Sequence, residues 1–404
     1  MTATATEFNT LNTVSLASRG FYVPRFEVKI ENAGLPRDVL RDVIEVTYKD
    51  NIEELDSFEV SVNNWDPSTR KFKYIGSEEA TLSDTHRLFE PCTKKVELRM
   101  GYTGDAELPL IMTGNFTTME PSFPSNGPPT LSVRGLNVLH KLRRKKYDGG
   151  WFGEKDSAIV ENIATLRDRE LGNAKRFPLP VRIDDNAKSN ETPIDFVGQK
   201  SEYDIDFIWK RAQERGYIVA IRYEPEEHLF FGPSNERANP VNYQLEWGKS
   251  LVDLTPTLTT ANQFKSVTVR GWDRRRQRAI SETVDLDDRE LRRLNPNLRE
   301  LVQQCDPREE YVVDRPVFTT EDAKRRARAL LLDQSKQMVK ASGTTVGLPA
   351  LRAGTKVNIM GIGFRLQGKY FVTETTHTIN DNGYITKFKA RREDDGEEEG
   401  ASHA

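Results

Sequence analysis

With 404 residues, the chain exceeds one ordinary hydrophobic core and divides into two to four domains. Its 36% hydrophobic content against 30% charged residues is polar for that size, which suits small domains or surface protected by partners. The formal charge of −3 gives no whole-protein bias towards nucleic acid or anionic membrane, and no apolar run approaches the ~20 residues of a membrane span.

Residues 1–18 read as an N-terminal arm, without the basic and apolar regions of a signal peptide. Cys92 and Cys305 follow no ligand spacing, so a reduced cytosolic origin is the default. From 19 to 142 the pattern is that of strands. Phe26, Val28 and Ile30 alternate with polar residues, as do Val46 and Tyr48, then Phe58, Val60 and Val62. Turn residues between Pro121 and Pro129 punctuate the runs, and the strand through Leu131 and Val133 closes one β-barrel or sandwich.

Residues 143–250 change character. Asp156 is expected to cap a helix carrying Ile159, Ile163 and Leu166 on one stripe. A second helix follows Asp204, with Ile205, Ile208, Trp209 and Ala212 on one face and Gly216 as its stop. A hairpin over Tyr217–Tyr223 and His228–Phe231 completes an α/β insertion domain. A second β-unit is expected in two pieces, 251–278 and 342–392. Between them, 279–341 holds a weak helical pattern over Asp285–Leu301, broken at Asn295-Pro296, and a long helix starting at Thr319 or Thr320. Residues 393–404 are an acidic tail with nothing to bury, expected to be disordered.

Three strings recur in the same order near both ends. Phe58 to Asp66 (FEVSVNNWD) is echoed by Phe264 to Asp273 (FKSVTVRGWD), which aligns Trp65-Asp66 with Trp272-Asp273. Lys95-Val96-Glu97-Leu98 is echoed by Lys356-Val357-Asn358-Ile359. Gly114 lies six positions before Glu120, as Gly368 lies six before Glu374. The eight residues Trp65, Asp66, Trp272, Asp273, Gly114, Glu120, Gly368 and Glu374 are therefore structural repeat positions, each tryptophan packing where its strand ends and each following aspartate capping a turn. A chain that builds one β-unit twice offers two near-equivalent surfaces to a ring, which is the logic of a symmetry adaptor.

No residue pattern points to a catalytic, cofactor-binding or metal site. The five histidines are scattered, and His377 in its alternating run reads as a partly exposed strand residue without a catalytic partner. Gly361 and Gly363 sit between strands and not in a strand-to-helix phosphate loop. The acidic groups Glu53-Glu54, Glu78-Glu79 and Asp287-Asp288 are most simply solvated surface. The basic runs Lys141–Lys146 and Arg274–Arg278 lack interleaved stacking aromatics, so a solvated or interface-facing role is favoured over nucleic-acid binding.

The segment Glu202 to Tyr217 (EYDIDFIWKRAQERGY) resembles the "E-x-D-x-x-F-L-x-R-L-A-E-E-x-G" stretch of phage late control gene D proteins, which group with the hub portions of type VI secretion spike proteins. The stretch from Gly354 to Arg392, with Gly368, His377, Gly383 and Tyr384, is similar to that family's ending, and Trp151 to Ala164 to one of its helices. The resemblance spans about Arg19 to Arg392. It implies an α+β, mainly β, fold of two tandem tube-protein-like β-barrels with an α/β insertion domain. It also implies a non-enzymatic baseplate hub of a contractile phage tail or injection system, assembled in the bacterial cytoplasm. The implied partners are two further copies in a homotrimer, a hexameric inner tube protein, a separate trimeric spike and baseplate wedge proteins. No membrane is implied, and nucleic acid only as transit cargo. A cell-wall-degrading tail enzyme and a nucleic-acid-binding tail component remain the alternatives.

Overall fold

The structure is a computed structural model that describes residues 23–76, 84–105, 107–170, 172–177, 179–223, 226–234, 241–261, 263–288, 296–305, 308–314 and 316–393. The N-terminal arm, Glu78-Glu79, Asn295, His403 and the acidic tail beyond Glu393 lie outside the described residues. Six strands of seven or more residues lie in the first part of the chain as described: β1 Pro24–Ile30, β2 Val43–Asn51, β3 Ser57–Asn63, β4 Lys95–Tyr102, β5 Leu110–Ser122 and β6 Thr130–Asn137. Period-2 alternation builds them. Phe58, Val60 and Val62 of β3 and Val96, Leu98 and Met100 of β4 are buried, and the residues between them face outwards. They pair in the order β1-β4-β5-β6-β3-β2, all antiparallel.

An α/β region then adds β7 Lys146–Glu154, α1 Asp156–Thr165, β8 Ile194–Tyr203, α2 Asp204–Arg215, β9 Tyr217–Arg222 and β10 His228–Pro233. Gly216, at φ 69°, supplies the left-handed stop of α2. Asp156 is not the cap expected of it. Its buried carboxylate binds Arg211 (2.6 Å) and Arg215 on α2, and Glu191 accepts from the Ser157 N–H instead (2.9 Å).

The rest of the chain holds β11 Val241–Glu246, β12 Leu251–Leu258, β13 Phe264–Asp273, β14 Arg278–Asp285, α3 Pro296–Gln304, β15 Arg308–Val312, α4 Thr320–Lys336, β16 Val339–Val346, β17 Lys356–Met360, β18 Gly368–Asn380 and β19 Gly383–Arg392. Six of these pair in the order β11-β17-β18-β19-β16-β12. By rank along the chain, both sets run first-fourth-fifth-sixth-third-second. The two sets join where β2 pairs with β18, so that together with the short strand Ala33–Gly34 they form one 13-stranded sheet.

Register makes the equivalence residue by residue. A bulge at Ile44 in β2 matches one at Val252 in β12, and a bulge at Thr117 in β5 matches one at Thr373 in β18. Through these bulges Val46 corresponds to Leu254, Phe58 to Ala341, Lys95 to Lys356, Thr118 to Glu374 and Arg134 to Lys389. One difference stands at the end of each run: β1 meets β4 antiparallel, whereas β11 meets β17 parallel.

Three expected boundaries move. The second unit begins at β11, inside the stretch assigned to the α/β insertion, because Val241–Glu246 pairs with β17. β13 and the Arg274–Arg278 turn leave the second unit: β13 pairs with β14 and β15 in a separate three-stranded sheet, with α4 packed against it. Asp285 ends β14 instead of starting a helix, and α3 begins at Pro296, the residue thought to break it. Pro is tolerated there because the first-turn N–H has no intrahelical partner. On α4, Thr319 caps the start by accepting from the Asp322 N–H (3.1 Å), and Ala323, Ala327 and Leu331 are buried against β13 and β14.

Candidate interface: the seam between the two units

The seam is the β2–β18 ladder, running from Glu45↔Asn380 to Asn51↔Glu374. On its solvent face the side chains match across the strands. Thr47 and Thr378 hydroxyls lie 3.4 Å apart, Asn380 donates to Glu45 (2.9 Å), and Lys49 sits 3.7 Å from Glu374. Val46 and Ile379 are buried on the inner face.

Asp50 lies on the buried phase of β2, after Val46 and Tyr48, and an isolated carboxylate there would be severely destabilising. Arg352, on the loop before β17, answers it: its Nε donates to Asp50 Oδ2 (2.7 Å), the Ala353 N–H donates to the same oxygen (3.1 Å), and Thr375 of β18 donates to Oδ1. The guanidinium also donates to the Tyr48 hydroxyl and lies over the Tyr48 and Tyr223 rings at 4.6 and 5.4 Å. Tyr223 follows β9, so the α/β region is tied to the seam as well. Asp56 is buried beside this pair. Burial and the Asp50 charge push its carboxyl up to about 7, against the opposing pull of Arg352.

His377 is fully buried, not partly exposed as its alternating run suggested. Burial pushes its imidazole down to about 4, so it is neutral at ordinary pH. The Leu351 carbonyl, 2.9 Å from Nε2, can only accept, so Nε2 carries the proton and Nδ1 accepts from Tyr384 (2.9 Å) or Thr386 (3.1 Å). Both nitrogens are engaged in holding β18 to β19 and to the loop before β17. Among the described residues no group of three or more His, Cys, Asp or Glu is placed to hold a metal. The arrangement locks the two units together.

The family model described as the Alg8 N-terminal domain matches residues 22–381. The chain belongs to that family. No curated protein matches its sequence. Among solved structures, this Alg8 N-terminal domain chain is similar to the 43 kDa tail protein of prophage MuSo2 from Shewanella oneidensis, at 14% identity and a TM-score of 0.64, over 92% of this chain and 99% of that one. It is similar to a tail protein from Neisseria meningitidis MC58 at 13% identity and a TM-score of 0.62, over 92% and 97%. A third is the E. coli c3393 protein, a type VI secretion component described as structurally similar to the T4 tail proteins gp27 and gp5, at 13% identity and a TM-score of 0.53, over 91% and 77%. At these identities the likeness is one of fold.

Within this Alg8 N-terminal domain fold, the eight repeat positions separate. Trp65-Asp66 and Trp272-Asp273 each open a hairpin, pairing with Phe72 and Lys71 and with Ala279 and Arg278. Asp66 accepts from Ser68 N (2.9 Å) and Asp273 from Arg275 N and Arg276 N (both 3.0 Å), and the turns end on Arg70 and Gln277 at φ 56° and 51°. The Ser68 and Thr69 hydroxyls also donate to Asp66 (2.7 and 2.9 Å), and these bonds with the Ser68 N–H hold it down at about 2; the Arg276 and Arg275 N–H groups lower Asp273 as well. The strands around them are not equivalent, however. Trp65 follows β3, in the main sheet; Trp272 ends β13, in the separate one, and is 48% exposed. Gly114 and Glu120 lie on β5 and Gly368 and Glu374 on β18, which are equivalent strands, but the register equates Gly114 with Tyr370 and Glu120 with Thr376, two residues on.

β6 and β19 lie between two partners, and β18 is paired by β17 over its first part and by β2 over its second. Beyond Asn115, β5 has β6 on one side and, among the described residues, no strand on the other. Thr117 and Thr373 are the bulge residues of β5 and β18, positions where strands tolerate proline. The basic runs are in part neutralised locally. Arg143 pairs with Asp206 (2.8 Å), Lys145 with Glu170 (2.6 Å), and Arg275 with Asp195 (3.4 Å). Tyr48, Asp50 and Arg352 were missed. Their signal is an aspartate on the apolar phase of an alternating strand, which requires a buried cation from elsewhere in the chain.

Proposed function

We propose that this chain is the structural hub of the baseplate of a contractile phage tail or phage-tail-like injection system. In this reading three copies form a ring that adapts a sixfold inner tube to a threefold spike, and no reaction is catalysed. The observation that carries the reading is the duplicated six-stranded unit with its matching bulges. Three chains with two such units each supply six quasi-equivalent positions around one axis. Each unit then acts as a tube-protein-like β-barrel, and the α/β region between them is an insertion. A curled sheet is supported by the Tyr102 hydroxyl at the end of β4, which donates to the Gly347 carbonyl beyond β16 in the other unit (2.9 Å).

The outer face of the continuous sheet suits a channel lining. Ser61, Ser132, Thr47, Thr378 and Thr376 alternate there with charges that are paired, as in Arg134 with Glu59 (3.0 Å) and Lys389 with Glu374 (3.1 Å). A hydroxyl-rich, charge-balanced wall gives passing cargo no strong site to bind. The tail proteins and the type VI secretion component that share the fold support the same assignment. No helix of the described residues is long and apolar enough to cross a membrane. The expected partners are the inner tube protein on one face of the ring, the spike on the other and baseplate wedge proteins around it. Particle reconstruction with copy counting tests the reading: three copies per baseplate are expected, and two or six would overturn it.

A further inference from the structure

The internal seam is a template for a contact the chain cannot make with itself. On the first unit the partner of β18's second half would be found beside β5 beyond Asn115, and among the described residues no strand pairs there. On the second unit the equivalent of β2 is β12, and among the described residues its one strand partner is β16. We infer that β12 of one subunit pairs antiparallel with the end of β5 of the next copy, in the register that β2 and β18 show within the chain. This deepens the hub reading and rests on it.

Carrying the register across gives the pairs. Thr376↔Lys49 becomes Glu120 opposite Thr257, His377↔Tyr48 becomes Pro121 opposite Pro256, and Ile379↔Val46 becomes Phe123 opposite Leu254. The chemistry agrees at each rung. The buried Val46–Ile379 pair maps onto Leu254 and Phe123, of which Phe123 is 60% exposed in the single chain. The Thr47–Thr378 hydroxyl pair maps onto Thr255 and Ser122, again two hydroxyls. Asp50 and Thr375 map onto Leu258 and Met119, both apolar. Like charges do not meet at these rungs. Val252, 65% exposed at the β12 bulge, lies next to the same surface, and the Phe123 ring lies 5.6 Å from that of Phe72, which in turn lies 5.5 Å from that of Trp65.

The prolines fix the register. The Ile52 N–H donates to the Thr373 carbonyl (3.1 Å), so odd-numbered β18 residues are the ones that exchange backbone bonds with β2, His377 with Tyr48 among them. Pro121 and Pro256 occupy that rung, each with no N–H. Set opposite each other they confine the missing donors to one rung, and the rungs at Met119 and Phe123 keep theirs. Before assembly the same prolines discourage random pairing of the exposed edges.

Glu120 and Thr257 fall on a rung without backbone bonds, where Cα atoms stand about 4.5 Å apart, within disulfide range. The test is Glu120→Cys with Thr257→Cys in a full-length chain whose Cys92 and Cys305 are serine, oxidised in assembled particles. A covalent trimer that returns to monomer on reduction is the expected result. Glu120→Cys with Asp253→Cys, about 13 Å out of register, should stay monomeric on a denaturing gel. Particles with three copies that do not cross-link, or that cross-link through the Asp253 control, overturn this contact while leaving the hub reading standing. A copy number other than three overturns both.

Discussion

The seam inside the chain and the two edges inferred to meet a neighbouring copy share strand order and bulges, yet their chemistry differs. At the seam, Tyr48, Asp50, Thr375 and His377 form a buried polar lock around Arg352. At the edges the same four places hold Pro256, Leu258, Met119 and Pro121. Covalent connection explains the contrast. The seam forms as the chain folds, so its charges are never left buried without partners, and a fully satisfied network fixes one arrangement. An edge must stand in water until a second copy arrives, and there a proline and a methionine are safer than a carboxylate awaiting its arginine.

The largest way to break this contrast is Arg352→Met. It leaves Asp50 buried without its cation, and removing one partner of a buried pair costs about 3–5 kcal/mol. Thr257→Ala, on the open edge, should change the stability of the isolated chain by less than about 0.5 kcal/mol. Denaturant unfolding of both variants checks the pair. Equal small effects would mean that the polar lock contributes nothing to holding the units together.

Next in size is the side element that only the second unit carries. Leu331 of α4 is buried in the core shared with Val267, Val339 and Val357, and Leu331→Ala should cost about 2–5 kcal/mol. Arg328, on the other side of α4 and paired with Asp288 at 3.1 Å, should be close to neutral as alanine. Thermal unfolding that ranks the two the other way would put the wrong face of α4 against β13 and β14.

Much of the fold was legible because local chemistry sets it: the alternation of β1, β2 and β3, the Gly216 stop of α2 and the start of α4 at Thr319. The echo of Phe58–Asp66 in Phe264–Asp273 was also real, but it records a turn. Aspartate followed by four residues makes the same hairpin wherever a strand ends, and says nothing of which sheet the strand joins. The true counterpart of β3 is β16, and its sequence hides the relation. The cross-strand pair Phe58↔Gly135 becomes Ala341↔Ala390, and Val60↔Val133 becomes Gly343↔Phe388. Volume moves from one strand to the other within each pair, so the core stays filled while neither strand keeps its pattern. The Phe58 ring lies where a Cβ on Gly135 would be, which is why that glycine is needed. The seam was illegible for another reason: Asp50 and Arg352 are 302 residues apart, and only the folded sheet brings them together.

The titration of the lock sharpens the comparison further, because the open edge has no counterpart for it. Asp56 sits at about 7 in the fold against an ordinary 3.8, so between about pH 4 and 7 the folded chain holds a proton that the unfolded chain has lost. Stability from this group therefore falls as pH rises through that window. His377 works the other way. Held at about 4 against 6.5, it stays neutral while the unfolded chain protonates, so stability is lost as pH falls from about 6.5 towards 4. Asp56→Asn should raise the Tm by several degrees above about pH 7.5, and below it should expose a steeper rise between about pH 4.5 and 6.5 than the parent shows. A variant whose Tm parallels the parent's at every pH would show that Asp56 does not carry the slope.

The smallest effect tests whether the two units are equivalent in energy as well as in register. Thr117 and Thr373 occupy the same bulge in β5 and β18, and each hydroxyl donates to the same relative carbonyl, Arg134 O at 3.4 Å and Lys389 O at 3.2 Å. Thr117→Val and Thr373→Val each remove one exposed hydrogen bond and keep the branched shape. Each should cost about 0.5–1.5 kcal/mol, with the two values close together in the isolated chain. The carbonyls differ in their surroundings, since Thr373 O accepts from Ile52 across the seam and Thr117 O faces the open edge. If Thr373→Val costs several times more than Thr117→Val by urea unfolding, the bulge is tuned by the strand docked beside it. Matching costs would mean that each unit sets its own bulge, ready to receive a strand whether that strand comes from the same chain or the next.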